Sequence, residues 1–292
     1  MEDRVTARHR LGDRLRVVEG SPAVIDAEGN ILARDVEAFM DNGAYTGEMS
    51  YMASFPFHCG AINYRVGKFR ANGKLVYTNT PPTGAMRGVS GPAMYAALES
   101  HMDHIANELG FDRRTYRLTH LFGNGDSMPN GQQLDNAELL QRGFDEVEKI
   151  VPWKRNTKRR GTLKGRGLSA AIWLVNSLPG SLSLKLEEDG TVSVVTAATD
   201  NGSGALAAGI PQIVAETLGI RPEQVRIPDL DTDIAAWDGG SQGGRTTQVV
   251  GLAAIQGATE LRTKALQTAA QLLQVDTDSL DIVDGGFCVR GE

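Results

Sequence analysis

The chain is poor in the residues that announce whole classes of protein. It has 2 cysteines in 292 residues, Cys59 and Cys288, far apart and without a CxxC spacing, so a disulfide scaffold is excluded and a reducing compartment is expected. Basic residues do not predominate: the net charge is −6, and the one basic run, 154–160 (KRNTKRR), has no interleaved aromatics. It reads as a solvated connecting loop rather than a nucleic-acid surface. No apolar run approaches the ~18 residues that span a bilayer, and the charged opening MEDRVTARHRLGDR has no secretory apolar segment. A cytoplasmic protein with no membrane or nucleic-acid partner is therefore expected. Proline is ordinary at 11 residues. No GxxxxGK[ST] or GxGxxG motif occurs, so neither a P-loop nor a dinucleotide-binding Rossmann fingerprint is supported.

What the sequence does have is glycine, 34 residues against the usual ~7%. Three glycine-rich segments each run into a helical pattern: 84–91 (GAMRGVSG), 200–204 (DNGSG) and 239–245 (GGSQGGR). A helix start offers unpaired N–H groups and partial positive charge, and glycine lets an anion approach them. Arg87 and Arg245 add fork-shaped donors suited to phosphate or carboxylate. One such loop is usually only a turn; three in an acidic chain point to a small phosphate-bearing ligand.

Around these loops the pattern is mixed. Hairpin signatures, strand-like runs about a glycine turn, occur at 15–39 around Gly29, at 68–78 around Asn72-Gly73, and at 181–196 around Asp189-Gly190. Helical spacing predicts helices over 92–109, 137–150, 205–218 and 247–273. Gly110 and Gly219 stand at their closing positions. Hairpins interleaved with helices make the fold class α+β rather than a doubly wound parallel sheet. The polar stretch 152–165 marks the domain boundary, giving domains 1–155 and 160–292. The last dozen residues read as a hairpin cut short, as in a central fragment or one part of a split subunit.

Other candidates carry less. His101 and His104 lie three apart on a helix but lack a third ligand, so surface or boundary histidines fit better than a metal pair. His58-Cys59 are adjacent and point apart. Residues 88–92 lack the GxSxG spacing of a nucleophile elbow. Asp229, Asp231 and Asp233 could face one way, and a polar loop explains them equally well. No metal ligand is assigned.

The segment Tyr77-Thr78-Asn79-Thr80-Pro81-Pro82-Thr83-Gly84-Ala85-Met86-Arg87-Gly88, followed by Gly91-Pro92, resembles the TNxPxxGAxRGxGxP signature of the molybdenum-binding subunit of the xanthine dehydrogenase and aldehyde oxidase family. Four further blocks resemble that family in the same order. They are Asp41-Asn42-Gly43-Ala44-Tyr45, the 123–131 turn, Asp200-Asn201-Gly202-Ser203-Gly204 with 212–220, and Asp231-Thr232-Asp233 with 240–245. The resemblance implies two similar-sized molybdopterin-binding subdomains and a molybdopterin cofactor, in bacteria commonly the cytosine dinucleotide carrying Mo. It implies hydroxylation of a carbon beside nitrogen or of an aldehyde carbon. Electrons would leave through 2Fe-2S clusters to FAD, expected on partner chains. It puts Arg87 at the active site and Gly84, Ala85, Met86 and Gly88 beside the cofactor. Gly202, Ser203 and Gly204 fall on the pterin loop, and Ser241, Gln242 and Gly243 near the dinucleotide phosphates.

The departures are specific. The family's general-base glutamate, in a Gly-Val-Gly-Glu motif, and its GGGFGGK-type loop have no counterpart here, so a chain supplying the missing regions is expected as a partner. Val89-Ser90 stand where Phe-Gly is usual, and Ser203 where glutamine is common. The alternative is a non-catalytic remnant or binding module that keeps the fold without the chemistry.

Overall fold

The computed structural model describes residues 8–9, 19–20, 23–47, 53–61, 63–84, 88–153, 165–173, 175 and 178–290. The chain divides into two compact units, 1–172 and 173–292.

In the first unit a long strand, β4 (Ile31–Gly43), is the axis of a five-stranded sheet. Its even-numbered residues Arg34, Val36, Ala38, Met40 and Asn42 are buried, and the intervening ones are less so, the period of a strand covered on one face. β1 (Arg8–His9) pairs with β2 (Glu19–Gly20), and β2 and β3 (Ala23–Ile25) both pair antiparallel with β4. The turn between β3 and β4 is held by Asp26, which accepts from the Asn30 N–H at 2.7 Å. The expected hairpin around Gly29 is thus present from Ala23 onward; residues 15–18 lie outside the described residues.

The expected second hairpin is not there. Lys68–Tyr77 forms one continuous strand, β5, parallel to β4 from Ala33↔Lys68 to Gly43↔Tyr77. Asn72-Gly73 sits inside it, without a turn. A Cβ on Gly73 would lie 1.9 Å from the Ala53 carbonyl oxygen, so glycine is needed for close backbone approach rather than for a reversal. The crossover between the two parallel strands carries the short helix α1 (Phe55–Cys59). α1 packs with α2 (Gly91–Glu108) on the buried face of β4, where Val36, Ala38, Met40, Cys59 and Met94 meet.

α2 follows its predicted bounds and stops where Gly110 takes φ +74°. Its other side joins a core of Leu98, Met102, Ile105, Tyr116, Leu121 and Phe144. Two further helices complete this core, α3 (Arg113–His120) and α4 (Glu138–Ile150). α3 has no expectation behind it: its sequence RRTYRLTH is too polar to show an apolar stripe. It is nucleated by Asp112, which caps the Thr115 N–H at 2.9 Å. It is anchored by Arg117, whose buried guanidinium meets Glu99 at 2.6 Å while Tyr64 donates to the other Glu99 oxygen at 2.7 Å. Burial, then the Glu99 charge, holds the Tyr64 phenol well above its ordinary range, so it remains a donor.

The unit division falls beyond the basic stretch 152–165. Leu168, Ala170 and Ile172 pack on the first core. The Ala170 carbonyl accepts from Asn63 Nδ2 at 2.5 Å, and the Ile172 carbonyl from Tyr95.

The second unit has a three-stranded sheet in the order β6 (Ser183–Leu186), β7 (Val192–Val195), β8 (Val225–Arg226). The predicted turn at Asp189-Gly190 joins β6 to β7, with Gly190 at φ +79°. β7 and β8 are parallel, joined through α5 (Ile210–Leu218). α5 and α6 (Gly251–Leu273) pack on the sheet through Val192, Val194, Val214, Leu218, Val250, Ala254 and Ala258. The small residues on α6 let the two helices approach. A terminal hairpin, β9 (Leu280–Val283) and β10 (Gly286–Val289), rests on α6 through Leu280 and Ile282. Among the described residues no helix is long and apolar enough to cross a membrane.

Candidate functional site: two glycine loops on one cleft

In the second unit, both predicted glycine loops lead into a helix whose first turn is π-helical: Ala205–Gly209 before α5 and Thr246–Val250 before α6. π-helical turns in otherwise α-helical segments are frequent at functional sites. The two loops converge on one cleft of about 250 Å³. One wall is Asn201, Ser203, Gly204 and Ala205; the other is Ser241, Gln242, Gly244, Thr246 and Thr247. Of the residues predicted from the sequence, Ser203, Gly204, Ser241 and Gln242 line it, whereas Gly202 and Gly243 lie in the same loops without lining it. Asn201 and Gly244 lie in the predicted loops without having been singled out, and Ala205, Thr246 and Thr247 lie beyond them. Their signal was available, as small or uncharged polar residues beside a glycine at a helix start.

Ser241 ties the two loops together. Its carbonyl accepts from Asn201 Nδ2 at 3.0 Å, its hydroxyl donates to the Thr199 carbonyl, and it accepts from the Thr246 hydroxyl at 3.0 Å. The glycines are used for conformation: Gly202, Gly204, Gly243 and Gly244 have φ of +89°, +74°, +55° and +75°, a region costly for residues with a Cβ. Among the described residues, nothing beyond the chain neighbours lies within 4 Å of where a Cβ on Gly204 or Gly244 would be, so it is the backbone conformation and not crowding that calls for glycine there.

Asp200 shapes the first loop. Its carboxylate accepts from the Gly202 N–H at 2.7 Å and, at longer range, from Gly204 and Ala207 at 3.5 and 3.4 Å. The Gly202 N–H is the main reason its acidity is strengthened below the usual carboxylate range. The helix start therefore already has one anion of its own.

Arg245 departs from its expected role as a fork for an external anion. It is fully buried and paired with buried Asp238 at 2.7 Å, so it cannot meet a ligand in the cleft. The Asp229, Asp231 and Asp233 segment is an exposed loop. His101 is buried and His104 exposed, so they do not form a paired face. Among the described residues no group of three His, Cys, Asp or Glu side chains could hold a metal.

In the first unit the 81–92 stretch is described on both sides of its centre. Ala85, Met86 and Arg87 lie outside the described residues. The approach is pinned by Asp41, whose carboxylate accepts from the Thr78 hydroxyl at 2.5 Å and the Gly43 N–H at 2.9 Å. Thr83 donates its hydroxyl to the Asp41 carbonyl at 2.8 Å and its N–H to Asn42 at 3.2 Å. These contacts join two of the sequence blocks, 41–45 and 77–84, into one structure. Gly43 sits at φ +73°, and a Cβ there would lie 2.4 Å from the Pro81 carbonyl. Past the centre, Gly88, Val89 and Ser90 have φ of +85°, +27° and +52°, a left-handed run delivering the chain into α2.

A cofactor held in this cleft must suit neutral donors and glycine backbone, because among the described residues the lining carries hydroxyls, carboxamides and no charged side chain. A metal carried on an organic, phosphate-bearing group fits that donor set; a bare ion does not.

Comparison with known proteins agrees. Residues 145–292 match a family model described as a molybdopterin cofactor-binding domain, and residues 12–121 match a second model of the same description. The xanthine dehydrogenase molybdenum-binding subunit of Escherichia coli O157:H7 is 29% identical over 89% of this chain and 36% of its own length. The 6-hydroxypseudooxynicotine dehydrogenase complex subunit gamma of Paenarthrobacter nicotinovorans is 27% identical over 99% of the chain and 38% of its length. The structure of reconstituted CO dehydrogenase from Oligotropha carboxidovorans superposes with a TM-score of 0.77 at 21% identity, covering 94% of this chain and 38% of that one. The chain thus spans a little over a third of the length of each of these three. With one model covering half of its residues and a second covering much of the rest, the chain belongs to the molybdopterin cofactor-binding domain family, within the molybdenum-binding subunits of the xanthine dehydrogenase and aldehyde oxidase type.

Proposed function

We propose that this chain supplies part of the cofactor site of a molybdenum hydroxylase that oxidatively hydroxylates an N-heterocycle or an aldehyde. The observation that carries the reading is the cleft: two glycine loops, each opening a helix, face one another with neutral hydrogen-bonding side chains between them. Such a cleft suits the phosphates and polar ring of molybdopterin cytosine dinucleotide. Gly202, Ser203 and Gly204 would hold the pterin portion. Gln242 and the backbone of Ser241 and Gly243 would meet the phosphates, since the Ser241 hydroxyl is already engaged.

In the first unit, Gly84, Ala85, Met86 and Gly88 would present backbone to the cofactor, and Arg87 would orient the substrate by its charge. The bound group would supply the redox chemistry and an activated oxygen derived from water. The electron pair would leave to iron–sulfur and FAD subunits. A separate chain would contribute the general-base carboxylate, and the assembly would be cytoplasmic. Domains 1–155 and 160–292 would each be part of one molybdopterin-binding subdomain.

The test is to produce the chain with the products of its neighbouring genes and measure molybdenum by elemental analysis and CMP after acid release. Equimolar molybdenum and CMP are expected. Absence of both from the assembled complex overturns the proposal, and cofactor without turnover would leave only the non-catalytic binding module.

A further inference from the structure

Among the described residues the cleft lining has no charged side chain, yet the second loop ends in a buried arginine. Every guanidinium donor of Arg245 is spent inside the unit. Nε donates to the Leu178 carbonyl at 3.0 Å. Nη1 donates to Asp238 Oδ1 and to the Gly240 carbonyl, both at 2.7 Å. Nη2 donates to the Pro179 carbonyl at 2.6 Å and to Asp238 Oδ2 at 3.3 Å. Those are all five N–H groups that an arginine possesses. Asp238 Oδ1 in turn accepts from the Gly240 N–H at 2.8 Å, and the Gly239 N–H donates to Pro179 at 3.1 Å.

The surroundings are built to this pair. A Cβ on Gly180 would lie 2.7 Å from both Arg245 Nη2 and Asp238 Oδ2, and one on Gly239 would lie 2.7 Å from Leu178 Cβ. Asp238 and Arg245 therefore close the two ends of the 239–244 loop on the strap 178–180. Inside that loop Gly240, Gly243 and Gly244 hold left-handed backbone. The loop has no buried apolar side chain to fix it, so its shape rests on hydrogen bonds: those of this pair, those of Ser241, and the backbone bonds from Gly239 to Pro179 and from Arg245 to Gln242.

We propose that the Arg245–Asp238 pair is the positioning element of the cleft: it sets the loop conformation that aims Ser241, Gln242 and Gly244 at a phosphate-bearing ligand, without touching that ligand. This rests on the cofactor-site reading for the identity of the ligand, but not for the effect on the loop. A buried ion pair is a poor source of net stability, because desolvation offsets its attraction. Holding one loop geometry is the better account of keeping one here. With a neutral lining, recognition depends on where the donors point, so a small shift of the loop is felt directly at the ligand.

The test is Arg245→Lys in the full chain. Lysine keeps the charge beside Asp238, but its compact ammonium cannot span the three carbonyls. Hydrogen exchange should accelerate about tenfold or more at the amides of residues 239–244 and stay within about twofold in β6, β7 and the body of α6. In the assembled complex, acid-released CMP should fall in step. Should the lysine variant not accumulate, Asp238→Asn keeps an oxygen for the Gly240 N–H and is read the same way. Exchange unchanged in the loop, or accelerated evenly through the unit, overturns the proposal, as does a loosened loop with undiminished CMP. If the wild-type complex itself lacks CMP, the cofactor-site reading fails, while the exchange contrast still decides whether the pair sets the loop.

Discussion

Replacing Ser90 by glycine should stabilise the first unit, contrary to what its position beside a helix start suggests. Serine is a favoured N-cap because its hydroxyl can accept from the first free N–H groups. Ser90 occupies that place before α2 but has φ +52° and ψ −24°, and its side chain caps nothing. It is 2% exposed, and its Oγ has no hydrogen-bond partner among the described residues. Left-handed backbone costs a residue with a Cβ roughly 1–2 kcal/mol. A buried hydroxyl without a partner costs on the order of 1 kcal/mol more. Against this, glycine loses roughly 0.5–1 kcal/mol through the greater freedom of its unfolded chain. The balance favours Ser90→Gly by about 1–2 kcal/mol, a rise of roughly 3–6 °C in the melting transition of a unit this size. Thermal and urea unfolding would measure it, with Ser90→Ala as the control. Alanine removes the hydroxyl and keeps the backbone strain, so it should fall between serine and glycine. A glycine variant no more stable than wild type, or an alanine variant equal to the glycine one, would refute the reasoning.

Two further expectations follow from the same structure. Gly73→Ala places a Cβ against the Ala53 carbonyl inside β5 and should cost about 3 kcal/mol in urea unfolding; a cost within about 0.5 kcal/mol would mean that Gly73 is in a loose turn after all. Asp200 has its folded acidity strengthened by the Gly202 N–H, so its contribution to the helix start is complete above the ordinary value of 3.8 and fades as pH falls through the lower folded one. Amide shifts of Gly202 and Ala207 should therefore titrate below pH 3.8, and that step should vanish in Asp200→Asn. A step that persists in the variant would sink the assignment.

The local signals in the sequence worked where local physics decides. Asp189-Gly190 turns a hairpin because glycine readily takes φ +79° there. The starts of α2, α5 and α6 follow from apolar spacing behind glycine loops, and their partner faces form the cores. The ordered motif blocks marked the family, since each block is a short run whose meaning survives out of context. α3 escaped because its anchoring is by Arg117 to Glu99, a contact 18 residues back that no periodicity displays.

What only the tertiary structure decided is which neighbours each residue meets. Asn72-Gly73 has the composition of a turn, but the carbonyl of Ala53 needs the space a side chain would take, so the pair runs straight through a parallel strand. Arg245 has the chemistry of a phosphate ligand, but carbonyls 66 and 67 residues upstream and Asp238 consume its donors before any ligand could. The two glycine loops of the second unit are far apart along the chain, and only the packing of α5 beside α6 makes them walls of one cleft. Composition and spacing thus determined α2, α4, α5 and α6, the Asp189-Gly190 turn and the family motifs. Long-range contact decided which arginine is structural, which glycine is a turn, and where the cleft lies.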